Sequence, residues 1–123
     1  MLDVLIVDDS AAIRKILQRV LRQADLPLGE VFEAGDGVEA LKTLSTQKVD
    51  LVFADVNMPN MDGLQLLGNI KGAEQWKHLP VIMVTTEGSE SKVMAAANLG
   101  AVGYVRKPFS AEQFRTCLDG LKL

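Results

Sequence analysis

The chain has 123 residues, 48% hydrophobic and 24% charged, with a formal net charge of −3. That length fits one domain able to bury a core without disulfides, and the lone Cys117 forms none internally, as in a reducing cytoplasm. The acidic balance, with no polybasic tract, argues against a nucleic-acid-binding surface; the N-terminus does not read as a signal peptide, and no apolar run nears the ~20 residues of a membrane span.

Short apolar runs alternate with amphipathic stretches. Leu2–Val7 reads as the first strand. A helix follows, with Ile13, Ile16, Leu17, Val20 and Leu21 on one side and Arg14, Lys15, Gln18, Arg19 and Arg22 on the other. The run 30–33 is the weakest strand, and a second helix opens at Asp36 with Val38, Leu41 and Leu44 along one stripe. Leu51–Ala54 is the third strand, and the helix after Asp62-Gly63 carries Leu64, Leu67 and Ile70. The fourth strand is 81–84; its helix starts near Ser89 and shows Val93, Ala96, Ala97 and Gly100, small enough for close packing. The fifth strand is 102–105. In the last helix Ser110 and Gln113 form a capping box, Phe109 and Phe114 a hydrophobic staple, and Phe114, Leu118 and Leu121 the buried stripe.

This is a (βα)₅ pattern. Nearly continuous Val, Ile and Leu runs mark strands covered on both faces, and right-handed crossovers give a doubly wound, five-stranded parallel sheet. Five strands suit the flavodoxin-like order 2-1-3-4-5, in which ligands bind outside the carboxyl ends of the strands.

Polar residues stand at those ends. Asp8 and Asp9 follow the first strand, Asp55 ends the third, Thr85 and Thr86 the fourth, and Lys107 lies just beyond the fifth. Two carboxylates about 4 Å apart repel by roughly 4 kcal/mol at an effective dielectric near 20. A divalent cation reverses that balance, and all-oxygen ligation with retained water suits Mg²⁺. Asp8-Asp9 alone reads equally well as a helix cap, but capping does not account for an Asp ending a buried strand. Asp55 is either a turn residue before Pro59 or a carboxylate placed to attack a phosphoryl group. Lys107 is either a solvated loop lysine or the counter-charge to that carboxylate and later to a phosphoryl oxygen.

Thr85 fits a plain strand position or a hydroxyl that bonds a phosphoryl oxygen. Tyr104 fits the core, although an inward ring leaves its hydroxyl in need of a partner, so two positions are open to it. Lys107-Pro108 is an X-Pro bond, the realistic place for a cis peptide. His78, beside Trp76, has no second His or Cys arranged with it and is given no role; Met58 and Met61 read as loop packing.

Four segments together resemble the response-regulator receiver family, and within it the single-domain chemotaxis regulators. They are Val7-Asp8-Asp9-Ser10 with Arg14 following, the run from Asp55-Val56-Asn57-Met58-Pro59 to Asn60-Met61-Asp62-Gly63-Leu64, Val84-Thr85-Thr86-Glu87, and Gly103-Tyr104-Val105-Arg106-Lys107-Pro108-Phe109. The likeness covers essentially the whole chain. It implies that Asp55 is the phosphoacceptor, that Asp9 and Asp55 bind Mg²⁺ by carboxylate, that Asn57 adds its backbone carbonyl and that Asp8 helps through a coordinated water. It implies that Thr85 and Tyr104 are a switch pair, that Lys107 contacts the phosphate beside a cis Pro108, and that Asn57 and Glu87 tune phosphoryl lifetime. Ser10-Ala11-Ala12 is smaller than the family can carry there. Thr86 is larger than the Ala often found at its position, which bears on phosphodonor access.

The resemblance further implies a monomeric receiver spanning 1–123 without an output domain. It would take phosphate from a histidine kinase and present the surface of the fourth helix, fifth strand and fifth helix to a flagellar motor switch protein or another output protein, with a phosphatase as a further partner. It would catalyse only its own phosphorylation and dephosphorylation. A phosphate sink or a regulator outside chemotaxis is the alternative. A haloacid-dehalogenase-like phosphatase would carry Asp-x-Asp near the first strand and a cap domain, whereas here Asp55-Val56-Asn57 follows the third. A flavin carrier would need a phosphate-cradling loop where this chain puts two carboxylates. An inactive scaffold sits badly with a full set of chemical residues.

Overall fold

The computed structural model describes residues 1–86 and 88–121. Strands β1 (Leu2–Val7), β2 (Leu28–Ala34), β3 (Leu51–Ala54), β4 (Val81–Thr85) and β5 (Gly103–Arg106) alternate with helices α1 (Ala11–Gln23), α2 (Gly37–Thr46), α3 (Gly63–Gly72), α4 (Glu90–Asn98) and α5 (Ala111–Asp119). All pairings are parallel, in the order β2-β1-β3-β4-β5. The doubly wound architecture expected from the alternating pattern is the one observed.

Strand alternation splits the core into two layers. Val4, Ile6, Phe53, Ile82 and Val84 pack with Leu17 and Leu21 of α1 and Phe114 of α5. Leu5, Val7, Val52, Ala54 and Met83 pack with Leu44 of α2, Leu66, Leu67 and Ile70 of α3, and Ala96 of α4. Full burial of one such large side chain is worth about 1.5–3 kcal/mol. Phe114 anchors α5 through edge contacts to Phe53 and Phe109, with ring centroids 5.7 and 5.4 Å away. The expected capping box forms: Gln113 N–H donates to Ser110 Oγ at 3.3 Å and Ser110 N–H to Gln113 Oε1 at 2.8 Å. Ser110→Ala is expected to lower stability by about 1 kcal/mol, read by chemical denaturation.

The boundaries differ where packing overrides pattern. β5 begins one residue later than expected, leaving Val102 44% exposed, and β4 runs on to include Thr85. Ile16 and Val38 lie at the margins of their apolar stripes, 42% and 39% exposed, and in α4 Ala96 is buried while Ala97 faces solvent. β2 is longer than expected because it is an edge strand whose pairing depends on a distant side chain. Leu2 pairs with Leu28 but Val4 with Val31, so β2 carries one extra residue, a β-bulge. There the Asp3 carboxylate accepts the Glu30 N–H at 2.8 Å, while Asp3 N–H donates to Asp50 Oδ2 at 2.9 Å. Removing that acceptor hands the exposed bulge N–H to water. Asp3→Ala is therefore expected to cost about 1 kcal/mol, seen as a lower urea midpoint at unchanged slope.

Candidate functional site

The strands deliver the acidic residues to one rim. Asp8 N–H bonds Ala34 O at 3.0 Å and Asp55 N–H bonds Val7 O at 2.9 Å, so both backbones are held by neighbouring strands. Asp8 and Asp55 are buried, at 4% and 8% exposure, and Asp9 is exposed. One carboxylate oxygen from each of the three lies within 4.8 Å of the others.

Lys107 enters from beyond β5. Its backbone N–H donates to Thr85 O at 2.9 Å, and the Lys107–Pro108 peptide is cis, as expected. Its ammonium bridges two carboxylates, donating to Asp8 Oδ2 at 2.6 Å and to Asp55 Oδ2 at 3.1 Å. Burial works against that charge. The hydrogen bond to Asp8 and the pull of Asp55 outweigh it, and the amine is held above the usual lysine range. The reading of Lys107 as a solvated loop residue is thereby excluded.

The remaining oxygens are set by backbone groups. Asp8 Oδ1 accepts Ser10 N–H at 2.9 Å and Asp55 Oδ1 accepts Asn57 N–H at 3.4 Å. The cap of α1 is Ser10, whose Oγ accepts Ile13 N–H at 3.3 Å, so neither Asp8 nor Asp9 serves as the cap residue. Gly63 closes the far side: its N–H bonds Val56 O at 2.8 Å, and a Cβ there would overlap the Asp55 carbonyl oxygen. Only glycine lets α3 start this close to the strand end.

One ammonium does not neutralise three carboxylates. A compact all-oxygen donor set with excess negative charge fits a hard divalent cation. Asn57 stands two residues after Asp55 with its side chain exposed. Thr85 is fully buried at the end of β4, and Tyr104 is half-buried against the α3–α4 layer. Tyr104 pairs in register with Met83, which puts Thr85 and the ring on the same face of the sheet. Met58 and Met61 pack in the loop, as expected. Glu87 lies outside the described residues.

Periodicity places Arg14 on the polar side of α1 but does not give its partners: Arg14 Nη1 donates to the Asp8 carbonyl at 2.5 Å and Nε pairs with Glu33 at 3.0 Å. Glu33 also takes Lys15 at 2.7 Å; the Lys15 bond, with Arg14 in support, holds its carboxyl below the ordinary value despite partial burial. An acidic residue at the end of β2 opposite two basic residues in α1 is the signal that finds this contact.

Fold and site define the class: the chain belongs to the response regulator receiver domains, whose family model matches residues 4–119. Within that family it is of the CheY type. It is 43% identical over 116 residues to chemotaxis protein CheY-3 of Vibrio cholerae, covering 94% of this chain and 88% of that one. It is 42% identical to chemotaxis protein CheY of Pseudomonas aeruginosa, covering 94% and 92%. Among solved structures, V. cholerae chemotaxis protein CheY4 superposes with a TM-score of 0.85 at 37% identity, over 98% of each chain. No helix among the described residues is long and apolar enough to cross a membrane.

Proposed function

We propose that this chain is a cytoplasmic phosphorylation switch of a two-component pathway, working through its receiver domain. Asp55 takes a phosphoryl group from the phosphohistidine of a histidine kinase, and the surface of α4, β5 and α5 presents the change to a target such as a flagellar motor switch protein. The observation that carries this reading is the Lys107 ammonium shared by Asp8 and Asp55 inside a three-carboxylate cluster.

A carboxylate oxygen of Asp55 attacks phosphorus; the O–P bond forms as the P–N bond breaks, and the ring nitrogen keeps the electron pair and takes a proton from solvent, so imidazole leaves neutral. Asp9 and Asp55 by carboxylate, Asn57 by its backbone carbonyl and Asp8 in support would hold Mg²⁺, which would supply charge neutralisation for the phosphoryl oxygens. Lys107 stays protonated through neutral pH, keeps Asp8 and turns from Asp55 to a phosphoryl oxygen. Thr85 offers its hydroxyl to the same group, and its movement changes the room available to Tyr104 on the shared face. Phosphorylation biases the output surface only as far as these contacts favour one arrangement over the other. Asn57 and Glu87 set how long the phosphoryl group lasts. The domain acts on itself and turns over no other substrate.

The test uses acetyl phosphate and Mg²⁺. Intact mass should show a single phosphoryl adduct that hydride trapping places on Asp55. A mass that stays unchanged removes the reading.

A further inference from the structure

The loop that follows Asp55 is tied to α2. Asn60, in its middle, holds a left-handed backbone conformation (φ 65°), which Asn tolerates better than most residues. From there its Nδ2 donates to Asp36 Oδ2 at 2.8 Å, while Asp36 Oδ1 accepts Glu39 N–H at 2.9 Å and caps α2. Asp36 is buried. The capping bond from Glu39 and the Asn60 amide together hold its carboxyl below the ordinary value, so the acceptor is charged at neutral pH. One residue on, Gly37 N–H donates to Met61 O at 3.2 Å, and a Cβ on Gly37 would lie 2.6 Å from Met61 Cγ. The loop is thus gripped on one side by α2 and closed on the other by the bond between Gly63 and Val56.

Between those two grips sits Asn57. A backbone carbonyl cannot be swung into place by a rotamer change, and its direction is fixed by the loop that carries it. We propose that Asp36 and Asn60 form a positioning pair that sets the Asn57 carbonyl for the cation, coupling the N-terminus of α2 to metal affinity. Neither residue touches the ion. The inference rests on the metal reading under Proposed function and adds the part of the fold that tunes it. The coupling is reciprocal, so whatever displaces α2 weakens the cation and the cation steadies α2.

The test is a calorimetric titration of Mg²⁺ into unphosphorylated protein. Asn60→Gly keeps the left-handed backbone and deletes the side-chain bond. Asp36→Ser keeps a capping oxygen and deletes the acceptor that Asn60 reaches. Each is expected to weaken Mg²⁺ about tenfold, the scale seen when an outer-shell partner is lost, with cooperative unfolding retained in chelator at a modestly lower midpoint. Because the two act through one bond, the double variant should also lose about tenfold and not about a hundredfold. Wild-type Mg²⁺ binding with an Asn60→Gly affinity within about twofold of it, or losses that multiply in the double variant, overturns the pair alone. A wild type that binds no Mg²⁺ overturns the metal reading and the pair together.

Discussion

Asp55→Asn is expected to abolish phosphoryl acceptance while leaving a fold at least as stable as the wild type. The amide has nearly the shape of the carboxylate and keeps an acceptor oxygen for Asn57 N–H or Lys107, but its oxygen is not a nucleophile. No adduct should form with acetyl phosphate and Mg²⁺. Stability follows from crowding. With the three carboxylates within 4.8 Å, each pair repels by roughly 3–4 kcal/mol at an effective dielectric near 20, and Lys107 attracts Asp55 from 3.1 Å. Two repulsions against one attraction, plus the burial of Asp55, leave the native carboxylate a net liability without a cation. A gain of about 1 kcal/mol is expected in chelator, measured by urea denaturation. Added Mg²⁺ should then stabilise wild type more than Asp55→Asn. A persistent adduct would show that another residue is the acceptor, and a clear loss of stability in chelator would show that crowding is not what the site resists.

The parts of this molecule that were readable from sequence are those set by local chemistry. β1, β3 and β4 are covered on both faces, so their apolar runs announce them. The cap at Ser110 sits three residues before the glutamine that completes it, and the matching box of Asp62 and Gln65 is added by the structure. Asp8, Asp9, Asp55 and Lys107 were legible because strand ends in a parallel sheet share a rim, a rule of topology that needs no coordinates. β2 was underread because its bulge is completed by a carboxylate 27 residues away in β1. Arg14 lies on the polar side of α1 as periodicity places it, but periodicity assigns a side and not a contact, so its reach to Asp8 O and Glu33 is visible only in the structure. The Asn60–Asp36 bond spans 24 residues between two loops, and no spacing rule connects them. Sequence placed Lys107 opposite Asp55; only the coordinates show the ammonium nearer to Asp8, so the lysine is already engaged before any phosphate arrives.

That engagement makes Lys107→Gln the sharper test of the electrostatics. The substitution shortens the side chain by one bond and keeps an amide donor in place of the charge, so buried Asp8 and Asp55 face each other without the ammonium. Both carboxylates stand at a rim, where water gives partial relief, so a loss of about 2 kcal/mol is expected, below the range for a fully buried pair broken at one end. The pH dependence has a definite sign. The folded pKa of Lys107 is raised above the ordinary 10.5, so its contribution is complete below that value and lost as pH rises through the folded one. The stability gap between wild type and Lys107→Gln should therefore stay flat from about pH 7 to about pH 9 and close only above about pH 10.5. A gap that persists at the alkaline end would mean that the deficit comes from packing of the lysine stem. Mg²⁺ separates the same two causes at neutral pH. A cation restores positive charge but not methylene contacts, so the deficit should shrink in Mg²⁺ if charge is the origin and stay unchanged if packing is. The cluster, on this argument, is held at rest by a lysine that the phosphoryl group later recruits, and its stability and its chemistry draw on the same ammonium.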